Sequence, residues 1–396
     1  MKKKVLVLAT TFPRWKDDSV PNFIYELTKE LSQKYEPHVL TPHSKGSKYL
    51  ERMDGIVVHR FPYFISKYEN LSTGISILNA LQKNKFNYLL VPFFTLSGII
   101  SFVILNIKFR FKIVHNHWLV PFAPFTSLFK NIFKYKLIIT SHGGDILGFE
   151  SSKVLNYLFK YCISRANSYT VVSSEMAKVA SRFISASDQS KLKIISMGIP
   201  YKEFSSVKTN FSKNNFTAVF IGRLSEMKGT KYLLEAISIL QDRNRRIKCK
   251  IIGSGPEEKS LKELSKKLQI TNLIDFTGFI PHAKLPNELE GSSVFIGPSI
   301  TTKSGYKEGF GLVFVEAMAA GIPVIATRSG GITDTVKHLK TGLLVEEKDP
   351  EGIANFVEKI IDDSELREKI VNGGREMAKQ YSWQSIANKY SDLYEQ

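Results

Sequence analysis

The sequence predicts an α/β protein of two Rossmann-like doubly wound domains facing a cleft, and three observations carry the layout. Short β-branched runs alternate with helical patterns along the whole chain, and such alternation builds right-handed βαβ units on a parallel sheet. At 396 residues the chain is longer than one ordinary core requires, so two domains are expected. The alternation also starts afresh after a polar stretch at 201–215, which reads as a linker.

In the first half, strands are expected over 5–9, 38–41, 57–61, 113–116, 137–140 and 169–172, with amphipathic helices over 22–34 and 153–163. In the second half, strands are expected over 218–221, 249–252, 274–277, 294–297, 324–326 and 343–345. The helices between them are expected over 232–241, 257–268, 311–320 and 331–337. The resulting division is a basic first domain over 1–200, a second domain over 201–378 and a last helix over 379–396. Doubly wound sheets bind ligands outside the carboxyl ends of their strands, so the loops there are where chemistry is expected.

Composition narrows the class. With 43% hydrophobic and 23% charged residues the chain reads as soluble and globular. Cys162 and Cys249 lie in separate halves, which suits reduced thiols in a cytoplasmic protein. Neither has a second ligand at zinc spacing. The apolar run after the three starting lysines is only about five residues, too short for a signal peptide core, and reads as a first strand.

The net charge of +18 is unevenly spread: residues 1–200 hold 27 Lys+Arg against 12 Asp+Glu, and the remainder 28 against 25. From 70 to 144 there is no acidic residue. An anionic partner is expected on the first domain. No nucleic-acid module is present, so nucleic acid is not expected and an anionic membrane surface is. The uncharged stretch 88–107 is long enough to span a bilayer, but a strand of the same sheet follows at once. A helix lying in the membrane interface fits better, with Lys83, Lys85, Lys108, Arg110 and Lys112 at its ends.

The most informative segment joins Glu308 to Glu316 through Gly-Phe-Gly-Leu-Val-Phe-Val. Glu316 is the only polar residue in 312–320, and a lone carboxylate on such a helix is costly unless something polar meets it. Gly309, Phe310 and Gly311 lead into the helix that Leu312 opens, whose free N–H groups suit a diphosphate. Glu308 is placed to face a sugar ring, and Glu316 to accept hydrogen bonds from a ribose diol. Gly222, Arg223 and Lys228 follow a strand and can clamp a pyrophosphate.

Gly253 begins a Gly-Ser-Gly-Pro turn that lacks the third glycine of the dinucleotide fingerprint. Gly330 and Gly331 offer another anion-friendly helix start. Phe279 opens the stretch 279–284, where backbone groups are expected near a nucleobase. In the first half, His115, His117 and Trp118 follow one strand, and Ser141, His142 and Asp145 another. His142, beside two glycines, is the expected hydrogen-bonding histidine. Thr11 and Phe12 follow the first strand. No Asp-x-Asp occurs, which favours fixed cations over a divalent metal for neutralising a leaving diphosphate.

These motifs together, with the late Tyr381-Ser-Trp-Gln-Ser-Ile-Ala, resemble family 4 of the retaining glycosyltransferases (glycosyl transferases group 1), enzymes of GT-B fold, over nearly the full chain. The resemblance implies that Arg223 and Lys228 bind the donor diphosphate, Glu316 the ribose and Glu308 the donor sugar. It also implies that His142 approaches the reacting sugar and that the last helix returns to the first domain. The expected catalytic set is therefore His142, Glu308, Arg223 and Lys228. Gly222, Gly253, Phe279, Gly309, Phe310, Gly311, Leu312 and Glu316 complete the donor site.

One departure stands out. Many members have a Gly-Gly turn after the first strand, where this chain has Thr10-Thr11-Phe12-Pro13. That segment is expected on the acceptor side instead, with His117 and Asp145. The expected activity is metal-independent transfer, with retention, of a hexosyl unit from a UDP- or GDP-sugar to a hydroxyl of a glycan or lipid-linked acceptor. Its setting would be cell-surface polysaccharide or glycolipid synthesis at the inner face of the cell membrane. Three rivals are weighed. A nicotinamide oxidoreductase would need a complete Gly-x-Gly-x-x-Gly with a later acidic residue, which is not found. A UDP-sugar epimerase on the same fold and a non-catalytic membrane adaptor are the other two. Double displacement through a carboxylate would fall to Asp145.

Overall fold

The computed structural model describes residues 2–16, 18, 23–72, 77–147, 152–209, 211–213 and 215–396. The chain forms two units, one reaching to Met197 and taking in Ile386–Gln396, the other comprising Gly198–Ser385.

The first unit is built on eight strands: β1 (Lys3–Leu8), β2 (Tyr35–Pro42), β3 (Leu50–Met53), β4 (Ile56–Phe61), β5 (Ile113–His117), β6 (Lys136–Ser141), β7 (Ser168–Val171) and β8 (Leu192–Ile194). Their order in the sheet is β3-β4-β2-β1-β5-β6-β7-β8. All neighbouring pairs are parallel except β3 with β4. The chain builds outward from β1 in one direction, then returns to β5 and builds in the other. The seam between β1 and β5, with Val7 opposite His115, is the topological switch point.

The second unit has six strands: β9 (Thr217–Ile221), β10 (Lys248–Ile252), β11 (Ile274–Gly278), β12 (Val294–Gly297), β13 (Val324–Thr327) and β14 (Leu343–Val345). Their order is β11-β10-β9-β12-β13-β14, parallel throughout. Its switch point falls between β9 and β12. Apart from the edge strand β11, the interiors of these strands are largely buried, as in Val219, Phe220, Phe295 and Ile325, because helices cover both faces of a parallel sheet.

Every strand read from the sequence is present to within two or three residues. β3 and β8 are additional. β3 is a short edge joined to β4 through Asp54-Gly55 at φ 43° and 84°, the two positive-φ positions of a tight hairpin. Arg60 on β4 is buried and pairs there with Glu51.

Several helices begin on side-chain caps, which satisfy otherwise unpaired N–H groups. Ser152 accepts from Leu155 N at the start of Lys153–Arg165, and Asp349 and Asp363 do the same for Pro350–Asp362 and Ser364–Lys379.

Two local expectations are corrected. The segment 331–337 is not an α-helix; a 3₁₀ turn, Gly330–Asp334, stands there. Gly331 N donates to Glu308 O at 2.9 Å and Gly330 sits at φ 51°, so the loop is tied back before a helix can form. The stretch 201–215 opens with helix Tyr201–Ser205, whose Phe204 is fully buried, so its first turn belongs to the second unit's core.

Helix Trp383–Glu395 begins in the second unit, where Trp383 lies so close to Gly198 that a Cβ there would stand 2.4 Å from its ring. It ends in the first. Tyr390 and Tyr394 are buried there, the Tyr394 hydroxyl 2.7 Å from His115 Nδ1 and the Tyr390 hydroxyl 3.2 Å from Thr140 Oγ1.

Candidate active site

In the second unit the site grows from the exits of β9 and β12. After β9 the chain runs through Gly222, the exposed Arg223 and a 3₁₀ turn, Glu226–Lys228, to Gly229 at φ 61°. A Cβ on Gly229 would stand 2.1 Å from Pro298 O, and Ile300 N donates to Met227 O at 2.7 Å. The Lys228 turn is thereby sewn to the exit of β12. Gly222 N donates to Ile252 O and Leu224 N to Ser254 O, both at 3.0 Å. A Cβ on Gly253 would lie 1.9 Å from Gly222 O, and one on Gly255 2.3 Å from Leu224 O. Those two glycines let one loop lie backbone to backbone on the other, which is the physical reason for the Gly-Ser-Gly-Pro turn.

This stitching brings Lys228 Nζ onto the Glu308 carboxylate as a direct ion pair. Ser299 Oγ stands 3.4 Å from the same oxygen. Glu308 is 8% exposed and Glu316 5%. Burial of a lone carboxylate on the helix requires a polar partner, and for Glu316 it is His282, whose Nε2 is 2.7 Å from Oε1. His282 lies within the stretch expected near a base, but its meeting with Glu316 is a contact across 34 residues that no local pattern announces.

Gly311 stands at φ 80° immediately before helix Leu312–Ala319, and a Cβ on it would clash with the Phe314 ring at 2.6 Å, so only glycine fits. Gly309 faces open space: nothing lies within 4 Å of where its Cβ would be. Phe310, expected among the donor contacts, is turned inward. It is 8% exposed and its ring lies 5.3 Å from that of Tyr381, so its side chain packs and only its backbone faces the turn. Leu312 is half-buried at the helix start, and Phe279, just beyond β11, is 75% exposed.

A residue not singled out from sequence, Glu347, braces the loop after β12. Its carboxylate accepts from Thr301 N at 2.8 Å and from Thr301 Oγ1 at 2.7 Å. Burial alone would raise this carboxyl, but the hydrogen bonds from Thr301 and Ser329 hold it below its ordinary value.

In the first unit, His117 ends β5 and His142 follows β6, and β5 and β6 are neighbours. Their rings stack 5.2 Å apart, with His117 Nδ1 3.0 Å from His142 Nε2. Phe23 and Trp118 lie against His142, at 4.9 and 5.1 Å between ring centres. Burial pushes His142 and His115 each down to about 3, and His117 well below its ordinary value with the neighbouring imidazoles adding to the effect. All three are therefore neutral at ordinary pH, and His142 can hydrogen-bond without carrying charge.

Asp145 is occupied: Oδ2 accepts from Leu119 N at 3.2 Å, and Oδ1 from His142 N at 3.1 Å and Gly143 N at 3.2 Å. It clamps the two loops that carry the histidines, and such a fully engaged carboxylate is a poor nucleophile. Phe12 is 5% exposed and packs edge-on to Tyr25 at 5.9 Å, so it is a core residue with little to offer a ligand, whereas Thr11 beside it is half-buried.

Two doubly wound units, the second pairing Lys228 with Glu308 and His282 with Glu316 beyond its strands, are the architecture of the GT-B glycosyltransferases. The chain belongs to the group 1 glycosyltransferases: the model for glycosyl transferases group 1 matches residues 202–377 and that for glycosyltransferase family 4 matches 20–203. An uncharacterized glycosyltransferase of Methanocaldococcus jannaschii is 30% identical over 72% of this chain and 75% of its own length. A GDP-mannose-dependent phosphatidylinositol monomannoside mannosyltransferase of Mycobacterium tuberculosis is 34% identical over 45% of this chain and 46% of its own length. Among solved structures, sucrose-phosphate synthase of Thermosynechococcus elongatus has a TM-score of 0.72 at 19% identity, covering 100% of this chain and 98% of that one. Anabaena HepE, solved with UDP, has a TM-score of 0.70 at 18% identity, each chain fully covered. At these identities the two structures establish the fold.

Proposed function

We propose that this glycosyltransferase moves a hexosyl unit from a UDP- or GDP-sugar to a hydroxyl of a glycan or lipid-linked acceptor, with retention at the anomeric carbon and without a metal. The observation that carries the donor reading is Lys228 seated on Glu308 at the β9/β12 switch point, with Glu316 further along the following helix. An ion pair inside a binding site can exchange partners: a diphosphate takes Lys228 and a sugar hydroxyl takes Glu308. Glu316 then exchanges His282 for the ribose diol. The mannosyltransferase relative, named for its GDP-mannose dependence, and the UDP complex of HepE support this donor class.

In the reaction the acceptor oxygen bonds to the anomeric carbon on the face that the diphosphate leaves. The bond from that carbon to the phosphate oxygen breaks, and the acceptor proton passes to that oxygen, releasing the nucleoside diphosphate. Arg223, Lys228 and the backbone amides at 309–311 stabilise the charge as it develops. His142, neutral, donates a hydrogen bond to a sugar hydroxyl, and the first unit holds the acceptor. Work at the inner face of the cell membrane, in glycolipid or surface polysaccharide synthesis, fits a lipid-linked acceptor.

The test is a thermal-shift panel of UDP, GDP and ADP, followed by turnover of radiolabelled UDP- and GDP-sugars with lipid phosphate acceptors. Stabilisation by UDP or GDP, reduced in Glu316→Gln, is the expected result. No shift with any nucleotide would sink the reading, and a sugar converted in the absence of acceptor would point to an epimerase.

A further inference from the structure

Helix Val91–Phe109 is apolar on both sides but buries only one. Phe94, Gly98, Phe102, Leu105 and Asn106 face inward, Phe102 lying 5.4 Å from Phe125. On the other side Phe93, Leu96, Ile100, Ile104 and Ile107 are between 49% and 64% exposed. Their spacing of three, four, four and three residues puts them on one helix face. The helix Lys85–Phe109 is long and apolar enough to cross a membrane, with 28% of its most apolar window buried. It does not cross one. Its inner face is part of a core, and its ends connect β4 and β5 of a single sheet.

The face is wider than one helix. The connections β4 to β5, β5 to β6 and β6 to β7 all advance the same way across the sheet, and right-handed crossovers then place helices Val91–Phe109, Ala123–Phe133 and Lys153–Arg165 in one layer. Ring contacts of Phe102 with Phe129 and Phe133, at 6.2 and 6.3 Å, confirm the first pair. Leu128, Ile132 and Tyr157 add a further 61%, 66% and 71% exposed apolar residues to that layer. Exposed apolar surface of this extent on one layer of helices marks a binding face.

Charge selects the occupant. Residues 70–165 contain eleven Lys+Arg and two acids, Asp145 and Glu150. Asp145 is taken up by its backbone donors, Glu150 lies outside the described residues, and none of the three helices contains an acid. Exposed cations bracket the apolar stripe, Lys83 and Lys85 at one end and Lys108, Arg110 and Lys112 at the other. A second copy of the chain on this face would set cation against cation. An anionic lipid surface complements both the stripe and its ends.

We propose that this face docks on anionic lipid, with helix Val91–Phe109 lying in the plane of the surface and its bare side in the headgroup–acyl boundary. The proposal places a lipid-linked acceptor beside the unit that would use it, and rests on the transferase reading only for that consequence. Vesicle flotation of the full chain tests it without turnover. Vesicles of equal phosphatidylglycerol and phosphatidylcholine should bind it at least about tenfold more tightly than phosphatidylcholine alone, and that advantage should fade as salt rises to about 0.5 M.

Ile100→Glu with Ile104→Glu should cut binding by about tenfold or more, while thermal unfolding and the nucleotide-induced shift stay unchanged. Lys108→Gln with Lys112→Gln supplies a second, exposed pair that should weaken binding and its salt dependence. Absence of binding, equal binding to neutral vesicles, or a soluble dimer dispersed by the isoleucine pair would each overturn the proposal. A lost nucleotide shift with vesicle binding intact would instead count against the donor reading alone.

Discussion

After β9 and β12 the second unit brings Lys228 against Glu308 and His282 against Glu316, whereas after β5 and β6 the first unit stacks two neutral histidines, with His115 behind them. Both places lie at or beside a switch point of a doubly wound sheet. The second holds carboxylates whose partners, Lys228 and His282, a ligand can take over. The first holds imidazoles that burial has stripped of charge, which can orient a hydroxyl but cannot neutralise a phosphate. The outer helices differ in the same sense. In the second unit they carry mixed signs that pair with one another, as Arg243 does with Glu351 and Glu358, while the first unit's helices Val91–Phe109, Ala123–Phe133 and Lys153–Arg165 carry cations and bare apolar side chains without an acid. One plan thus serves two kinds of partner, and side-chain charge decides which.

The sharpest way to break this contrast is at Lys228. Lys228→Ala should lower kcat by about two to three orders of magnitude, as for other single groups that stabilise developing charge. Lys228→Ala combined with Glu308→Gln should cost less than the sum of the two, because the first substitution alone leaves a buried carboxylate unpaired. Steady-state kinetics on the four proteins checks this, and strict additivity would mean that the pair does not act as one unit.

Glu316→Gln should weaken donor nucleotide binding by about tenfold or more, the loss of a charge-assisted hydrogen bond. Asp145→Asn should leave nucleotide binding untouched and lower thermal stability instead. Calorimetric titration with UDP and GDP separates these two carboxylates. Equal effects of both substitutions on nucleotide affinity would erase the distinction drawn between the units.

Acid should act on the first unit before the second. His115 and His142 titrate at about 3 in the folded chain and near 6.5 unfolded. The unfolded chain therefore binds more protons between those values, and stability is full above about 6.5 and falls as the pH drops. Each of these two histidines contributes up to about 1.4 kcal/mol per pH unit across that range. Asp145, raised by burial, works with the opposite sign at the acid end. Hydrogen exchange at pH 7 and pH 5 should show protection lost in β5 and β6 and kept in β9 and β12. The smallest effect is expected from Tyr394→Phe, which removes the hydroxyl that meets His115 and should cost about 1 kcal/mol in a denaturant titration.

Much of this arrangement is legible in the sequence, and the boundary of legibility has physical causes. Twelve strands announce themselves because parallel strands are buried on both faces and read as β-branched runs. β3 escapes notice because it is a four-residue edge with one buried side chain, although Asp54-Gly55 is a hairpin signal in plain view. The Glu308–Glu316 segment is conspicuous because a carboxylate in an apolar helix contradicts its surroundings. Its partners are not, since Lys228 lies 80 residues and His282 34 residues away, joined only by folding. Phe12 and Phe310 sit in loops where ligand contacts are expected; that their rings turn inward shows only in their packing on Tyr25 and Tyr381, which sequence position does not pair with them.

The closing helix has a consequence for the order of events during synthesis. Tyr390 and Tyr394 supply the hydroxyls that meet Thr140, Thr170 and His115 inside the first sheet. Those groups emerge from the ribosome some two hundred and fifty residues before their partners, as the separations of 279 and 250 residues record. Until Trp383–Glu395 is made, the first unit therefore stands with an open slot and unmet polar groups in its interior. The half of the protein translated first is the half whose interior is finished last, and the second unit, needing nothing from beyond Ser385 for its own sheet, can be complete before it.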